Sequence, residues 1–337
     1  MRRMGVVLDP KGEPEYSEKG GFGTYNPTVA RFGNVIRMLY RFAKREPFGE
    51  NDHVDKSDIR LAVSDLEGQK FLREGIVLDR EGQKEEYGVE DPRSQLINDE
   101  SGPYHLITYT ANPGQEEGNW RTRVGLATTT DFKKFERKGY LPDEDNGRMI
   151  FGDKDVVVFP GKIGDKYWMM RRPNFNDGND LNITLTSSED LFSGWGIGET
   201  IPLSKMLSWS NWRSGAGTQP LGIDYEGQRV WLELFHGVEG MPNLDKPGEL
   251  VGKYRMGGIV FTEEKGELRP TFICKDPLLE PEEEHEREGL VSNVVFPTGL
   301  VVVDEIANVY YGAGDGVVAL CKKNVNDLVK QIIENSL

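Results

Sequence analysis

The sequence predicts an all-β protein, a five-bladed β-propeller with a short C-terminal helix. A strand–turn–strand pattern that ends in a hydrophobic and aromatic run recurs five times along the 337 residues. The five units begin near residues 26, 91, 155, 217 and 293, so successive starts are 65, 64, 62 and 76 residues apart. Four short strands per unit, repeated around an axis, are the pattern of a β-propeller. The alternative is an ordinary β-sandwich with coincidental spacing.

Each unit has a polar turn followed by a run typical of a buried strand. The runs are 35–41, 104–110, 167–172, 230–236 and 308–312, and third strands are predicted at 59–63, 123–127, 183–186 and 255–260. The one convincing helix is the tail, at about 323–335, where apolar residues have helical spacing and Asn324 or Asn326 could cap it. The acidic run 280–288 is interpreted as a solvated loop.

Composition bounds the function. The chain has 41 Lys and Arg against 56 Asp and Glu, a formal charge of −15, which argues against nucleic-acid and anionic-membrane partners. Two cysteines exclude a disulfide framework and favour a reducing, cytoplasmic compartment. The beginning of the chain has no signal-peptide pattern, and no apolar run approaches the length of a membrane span. About 150 residues per domain would give two domains, but the repeat predicts one, 1–337.

Polar residues stand at equivalent points near the starts of four units, namely Asn26, Asp91, Asp155 and Asn293. The first strands of propeller blades line the central channel, so these side chains are expected to converge there. Dense polar contacts from Asp, Asn and Arg suit a sugar site. Asp91 precedes a proline, which predicts an extended backbone, although an isolated Asp-Pro is more typical of an Asx-turn.

Cations accumulate at the ends of the second strands. Arg41, Arg171, Arg172 and His236 close their runs, and Lys154 precedes Asp155. Salt bridges to nearby acids explain most such residues. A bound phosphate would explain Lys154, Arg172 and His236 together, because several charge-assisted donors hold one anion. Four histidines without a metal-ligand spacing predict no metal site.

Longer motifs resemble glycoside hydrolase family 130. They are 26–27 with 39–41, 89–93, 108–111, 125–132, 154–160, 172–173, 235–238, 254–257, 292–299 and 310–315. Together they cover nearly the whole chain in the right order. The family has a five-bladed propeller fold, in agreement with the repeat.

The resemblance implies a β-mannoside phosphorylase, which uses inorganic phosphate to cleave a β-mannosidic bond and inverts the anomeric centre to give α-mannose 1-phosphate. It implies that Asp91 is the general acid, acting through a sugar hydroxyl. The phosphate-binding positions it implies are Lys154, Arg172, His236 and Tyr254. The residues expected to contact the sugar are Asn26, Arg41, Arg93, Asp155, Asn293 and Asp315.

No cofactor is expected. Phosphate is the expected co-substrate, and the expected partner is a β-1,2- or β-1,4-linked manno-oligosaccharide or a disaccharide of the mannosyl-glucose type. One alternative is an inverting β-mannosidase, which needs a second carboxylate to activate water; another is a carbohydrate-binding propeller without activity. Segments 113–120 and 240–252 look like insertions near the channel mouth and leave the acceptor sugar open. The apolar face of the tail helix is expected to pack on the propeller or on a second subunit of a homo-oligomer.

Overall fold

Strands dominate the computed structural model, which describes residues 1–18, 20–48, 52–100, 102–116, 119–145, 147–175, 181–243 and 250–337. The strands are, in chain order, β1 (Arg2–Leu8), β2 (Gly21–Phe32), β3 (Val35–Phe48), β4 (Asp52–Asp65), β5 (Leu72–Leu78), β6 (Gly88–Asp99), β7 (Gly102–Asn112), β8 (Gln115–Glu116), β9 (Asn119–Trp120), β10 (Arg123–Thr129), β11 (Glu136–Tyr140), β12 (Glu144–Asp145), β13 (Arg148–Met149), β14 (Gly152–Val158), β15 (Tyr167–Asn174), β16 (Ile183–Ser188), β17 (Glu199–Ile201), β18 (Arg213–Gly215), β19 (Leu221–Tyr225), β20 (Gln228–Pro242), β21 (Leu250–Glu264), β22 (Glu267–Ile273), β23 (Val295–Val303), β24 (Ile306–Ala313) and β25 (Val317–Asn324). The α-helices are α1 (Leu203–Met206), α2 (Glu284–Arg287) and α3 (Val325–Glu334).

Within the described residues, the longer strands form five antiparallel units. Unit 1 is β2–β5, unit 2 is β6, β7, β10 and β11, unit 3 is β14–β17, unit 4 is β18–β22, and unit 5 is β23–β25 with β1. Strand β1 pairs with β25, so the two ends of the chain complete one sheet. Units 1 and 2 are joined by a single parallel bridge between Ser57 and Gly88. The sequence-predicted repeat is therefore present as strands in the expected order.

The hydrophobic core consists of clusters that lie between neighbouring units. One cluster joins units 1 and 2, for example Leu39 with Ile107, and a second joins units 2 and 3, for example Leu126 with Met169. The largest joins units 3, 4 and 5. A fourth joins unit 5 back to unit 1 and includes β1. Apolar burial, the main favourable contribution to folding, therefore connects each unit to the next and unit 5 back to unit 1.

The C-terminal helix forms within one or two residues of its predicted bounds. Asn324 caps it, since its Oδ1 accepts from the backbone N–H of Asn326 at 2.9 Å, the expected role of Asn at that position. Its apolar face, including Leu328 and Ile332, is buried against unit 4. A Cβ on Gly258 of β21 would lie 2.5 Å from Ile332, so the glycine permits this close approach. The face is covered within the chain.

The interpretation of 280–288 as a solvated loop is correct for the exposed acidic side chains at 282–284 and 288, but it is wrong for Glu286. Residues 284–287 form α2, and Glu286 is fully buried. Its carboxylate accepts from Arg3 Nε at 2.9 Å and from the Tyr311 hydroxyl at 2.7 Å. A buried carboxylate needs such partners, and these come from β1 and β24, far away in sequence.

Among the described residues, no helix is both long enough and apolar enough to span a membrane.

Candidate active site

A cavity of about 670 Å³ lies where the first strands of the units begin. It brings together residues from all five units, including most of those predicted from the sequence. Those that line it are Asn26, Arg41, Asp91, Lys154, Asp155, Arg172, His236, Tyr254 and Asp315. Arg93 and Asn293 lie outside its lining.

The polar residues at the unit starts share an unusual backbone conformation. Asn26, Asp91, Asp155 and Asn293 have φ of +49°, +50°, +55° and +61°, in the left-handed region that Asn and Asp tolerate best among non-glycine residues. The first three lie at register shifts in the pairing of β2 with β3, β6 with β7 and β14 with β15. The predicted extended backbone of Asp91 is therefore wrong. A bulge takes the residue out of strand alternation, and bulges re-aim side chains next to active sites.

The Asp91 carboxylate is held by two donors. Asn26 Nδ2 donates to Asp91 Oδ1 at 2.9 Å, and Arg41 Nη1 lies 3.5 Å from the same oxygen. The Asp91 side chain is 10% exposed, on the cavity side. A Cβ on Gly312 of β24 would lie 2.1 Å from Asn26 Oδ1. Glycine at position 312 therefore makes room for the side chain that positions Asp91.

A second carboxylate, Asp155, is surrounded by cations. Its Oδ2 lies 3.1 Å from Arg172 Nη2 and 3.6 Å from His236 Nε2, and its Oδ1 lies 3.9 Å from Arg93 Nη2. Burial by itself would raise the pKa of Asp155, but the Arg172 guanidinium and the neighbouring cations outweigh burial and hold the pKa below its usual value. Asp155 is therefore ionised and orients the cations around it. We call Asp155, Arg172 and His236 the Asp155 cluster.

His236 is neutral in this cluster. Its side chain is 1% exposed, and burial lowers its pKa to about 3, although Asp155 acts in the opposite direction. A Cβ on Gly215 would lie 2.2 Å from Asp155 Oδ2 and 2.4 Å from His236 Cε1. Glycine at 215 lets β18 pack directly against both side chains. A neutral imidazole can donate a hydrogen bond to an anion without adding a full charge.

Lys154 is the most exposed cation with a predicted phosphate role. Its side chain is 35% exposed, against 11% for Arg172. Its Nζ lies 3.7 Å from Glu90 Oε2, and the other oxygen of Glu90 lies 3.2 Å from Arg41 Nη2. Glu90 thus connects the Arg41 side of the cavity to Lys154.

Tyr254 carries its hydroxyl to the same cavity. Arg213 Nη2 donates to this hydroxyl, and the guanidinium lies over the Tyr254 ring with 5.3 Å to its centroid. Burial raises the pKa of Tyr254, so the phenol stays protonated and able to donate. The backbone N–H of Tyr254 donates to the Asn293 carbonyl at 2.9 Å. The backbone of Asn293, a predicted sugar contact that lies outside the cavity lining, thus supports the strand that carries Tyr254.

Arg93 also lies beneath the cavity wall rather than in it. It is 2% exposed, its Nη1 donates to the Asp91 carbonyl at 2.9 Å, and its Nε donates to the Gly217 carbonyl. Burial lowers the pKa of Arg93, and the Asp155 carboxylate opposes that shift. The structure thus places Arg93 among the groups that support the bulges of units 2 and 3, away from the predicted sugar contact.

Asp315 is the remaining predicted sugar contact, and it faces the cavity with φ of +48°. Burial raises its pKa to about 7, and the nearby carboxylates of Asp91 and Asp55 act in the same direction, while Arg41 opposes them. Near neutral pH it is therefore partly protonated and can donate as well as accept hydrogen bonds.

Several cavity residues were missed from the sequence. They are Arg45, Asp55, Glu90, Asn112, Thr122, Gly152, Asn174, Leu181, Arg213 and Phe296. Glu90 could have been found from its position next to Asp91, and Arg213 from its position shortly before the start of the fourth unit near residue 217. Asp55 pairs with Arg45 at 2.9 Å, but no local motif marks either residue.

Two further predictions concern the insertions at 113–120 and 240–252 and the absence of a metal site. Of the proposed insertions, 117–118 and 244–249 lie outside the described residues. Among the residues that are described, no three His, Cys, Asp or Glu side chains are grouped so that they could hold a metal ion.

The chain matches a family model and curated proteins over almost its whole length. The model for glycoside hydrolase family 130, described as beta-1,4-mannooligosaccharide phosphorylase, matches residues 2–334. The chain is 29% identical over 329 residues to a 1,2-beta-oligomannan phosphorylase of Thermoanaerobacter sp. (strain X514), covering 96% of each protein.

Solved structures show a shared fold. The structure of beta-1,2-mannobiose phosphorylase from Listeria innocua, in complex with beta-1,2-mannobiose, superposes with a TM-score of 0.74 at 22% identity, over 97% of this chain and 96% of that one. Another solved structure has a TM-score of 0.69 at 20% identity, over 96% of this chain and 94% of that one. Its description states that the family of mannoside phosphorylases contains glycoside hydrolases that target beta-1,2 mannosidic linkages in Candida mannan.

Proposed function

The chain belongs to glycoside hydrolase family 130, and on that basis we propose that it is an inverting β-mannoside phosphorylase. Its substrates are a β-mannoside and inorganic phosphate, and its products are α-mannose 1-phosphate and the sugar that carried the mannosyl group. The observation that carries this proposal is that Asp91 lies in one cavity with four hydrogen-bond donors: the cations Lys154 and Arg172, the neutral imidazole of His236 and the hydroxyl of Tyr254.

Phosphate attacks the anomeric carbon from the face opposite the leaving oxygen. The carbon–oxygen bond to the leaving sugar breaks, a carbon–oxygen bond to phosphate forms, and the configuration inverts. The leaving oxygen gains a proton that comes from Asp91, by way of a sugar hydroxyl. Asn26 and Arg41 both engage Asp91 Oδ1, so the proton is best held on Oδ2.

The donors lower the cost of placing the phosphate anion in a cavity that also holds several carboxylates. Arg172 and Lys154 neutralise phosphate, while His236 and the Tyr254 hydroxyl add neutral donors. Charge-assisted hydrogen bonds are stronger than neutral ones, and holding phosphate beside the anomeric carbon removes translational entropy from the barrier.

Hydrolysis by an inverting mannosidase is the alternative within the same fold. It needs a second free carboxylate as base, at about 6.5–9.5 Å from the acid. In this cavity Glu90, Asp155 and Asp55 each lie within 3.2 Å of a cationic nitrogen, which leaves Asp315 as the cavity carboxylate that could serve as the base. Carboxylates bound to cations are poor bases, because the cation stabilises the ionised form. A donor-rich cavity favours phosphate over water as the nucleophile, and intact Asp91 favours catalysis over sugar binding alone.

We also propose that the five units are the blades of one propeller that covers 1–337. Support comes from the four core clusters, which link unit 1 to 2, 2 to 3, 3 to 4 and 5, and 5 to 1. In this ring β1 completes the last sheet. Arranging sheets in a ring is a common way to leave few exposed sheet edges.

The linkage is proposed to be β-1,2 or β-1,4, since the family model and the curated relatives carry both descriptions. The free, buried thiols of Cys274 and Cys321 support a reducing, cytoplasmic location. With the face of α3 covered within the chain, a homo-oligomer would have to use another surface.

The test is cleavage of β-1,2- and β-1,4-mannobiose with and without inorganic phosphate. We expect α-mannose 1-phosphate to form with at least one of them, and only when phosphate is present. Free mannose released at the same rate without phosphate would establish hydrolysis instead. The reverse reaction, with α-mannose 1-phosphate and a panel of acceptor sugars, then identifies the acceptor by phosphate release.

A further inference from the structure

Glu90 is a buried carboxylate to which the chemistry proposed above gives no part. It is 2% exposed and lines the cavity one residue before Asp91. Its Oε1 accepts from Asn112 Nδ2 at 2.8 Å and lies 3.2 Å from Arg41 Nη2. These two contacts hold its position firmly.

The contact of Glu90 with Lys154 is of a different kind. The 3.7 Å from Oε2 to Nζ is longer than the usual 2.7–3.2 Å of an N–H···O hydrogen bond. Lys154 is attracted to Glu90 without being locked to it, on a flexible four-carbon stem. By contrast, Arg172 lies 3.1 Å from Asp155 and is largely buried. The phosphate-side cations are therefore held in two ways, Arg172 rigidly and Lys154 loosely.

We propose that Glu90 is a positioning residue that competes with phosphate for the Lys154 ammonium. Without an anion Lys154 pairs with Glu90; with phosphate bound, it moves the short distance to the phosphate oxygens. When the sugar 1-phosphate leaves, Glu90 takes the ammonium back. This inference rests on the proposed function, and it means that Glu90 weakens anion binding so that the product can depart.

The direction of the effect follows from charge. To bind phosphate, Lys154 must be drawn away from Glu90, so the attraction within this partly exposed ion pair of 3.7 Å opposes phosphate binding. Glu90→Gln removes that attraction and keeps an oxygen acceptor for Asn112 and Arg41. We expect phosphate to bind about two- to fivefold more tightly in this variant, the range of a partly exposed ion pair. Loss of packing would weaken binding instead, so tighter binding separates the two explanations.

The experiment is calorimetric titration of the purified protein with inorganic phosphate, followed by steady-state phosphorolysis. Glu90→Gln should lower the dissociation constant of phosphate, lower its KM, and strengthen inhibition by α-mannose 1-phosphate. The control is Glu267→Gln, which removes a Glu–Lys pair of 3.1 Å with Lys166 away from the cavity and should change none of these. In a Lys154→Met background the gain from Glu90→Gln should shrink, because there is no ammonium left to compete for.

The possible outcomes separate cleanly. A Glu90→Gln variant that binds phosphate as wild type does, or more weakly, overturns the inference and leaves the proposed function standing. An equal gain in phosphate affinity with and without Lys154 also overturns it, because the effect would then come from direct repulsion between Glu90 and phosphate and not from competition for Lys154. A wild type that binds no phosphate and cleaves mannobiose without it removes the proposed function, and this inference with it.

Discussion

Replacing the proposed acid, Asp91→Asn, should abolish most turnover while leaving the fold intact. The Asn26 Nδ2 bond at 2.9 Å needs only an oxygen at Oδ1, which asparagine keeps. Arg41 loses the negative charge of its partner at 3.5 Å, keeps the oxygen acceptor there, and retains the ion pair with Glu90 at 3.2 Å. We therefore expect the free energy of unfolding to change by no more than about 1 kcal/mol.

The expected loss of activity is much larger. General acid catalysis contributes about 10²- to 10⁴-fold, which corresponds to about 3 to 5 kcal/mol in the barrier. The assay is formation of α-mannose 1-phosphate from mannobiose and phosphate, with thermal unfolding measured on the same preparation. Asp224→Asn is the matched control, because Asp224 is 81% exposed and pairs with Arg229 at the surface.

An activated substrate sharpens the test. A dinitrophenyl β-mannoside has a leaving group that needs no proton, so Asp91→Asn should keep most of its activity on that substrate in the presence of phosphate. Equal turnover of mannobiose by the variant and the wild type would refute the assignment of Asp91. A loss of the same size on both substrates would show that Asp91 acts in binding and not as the acid.

Two further predictions concern stability. Gly215→Ala places a Cβ 2.2 Å from Asp155 Oδ2 and 2.4 Å from His236 Cε1. It should therefore weaken phosphate binding and lower the free energy of unfolding, measured by denaturant titration, by about 1–3 kcal/mol. An unchanged midpoint of the titration would contradict the tight packing. For Asp315, the pKa rises from 3.8 to about 7 on folding, so the folded state holds a proton that the unfolded chain has lost, and stability should fall as the pH rises from about 4 to 7. Asp315→Asn should flatten this part of the profile of melting temperature against pH, and a profile parallel to that of wild type would count against the raised pKa.

The local features of this chain could be predicted because their signals are short. The tail helix was placed within two residues, since apolar spacing and the Asn324 cap lie within one stretch of chain. The equivalence of Asn26, Asp91, Asp155 and Asn293 came from the repeat, and all four have the same left-handed backbone. What the sequence missed was that conformation itself, because the bulge forms only when the neighbouring strand sets the register.

Two side chains are buried by contacts that the sequence pattern does not show. Glu286 was predicted to be solvated because its neighbours are acidic, yet Arg3 and Tyr311 bury it. Arg93 has the position of a sugar contact within its motif, but its partners are the Asp91 and Gly217 carbonyls.

The five repeats, the predominance of strands and nine of the residues that line the cavity can be predicted from the sequence, because strand alternation, turns and motifs act over about ten residues. Which of those residues share a cavity, and which charged pairs neutralise each other, depends on the fold. Glu90 of unit 2 lies beside Lys154 of unit 3, and Asp155 of unit 3 lies beside His236 of unit 4. Such contacts depend on how the units pack side by side, and burial and charge at that boundary are set by several distant segments together.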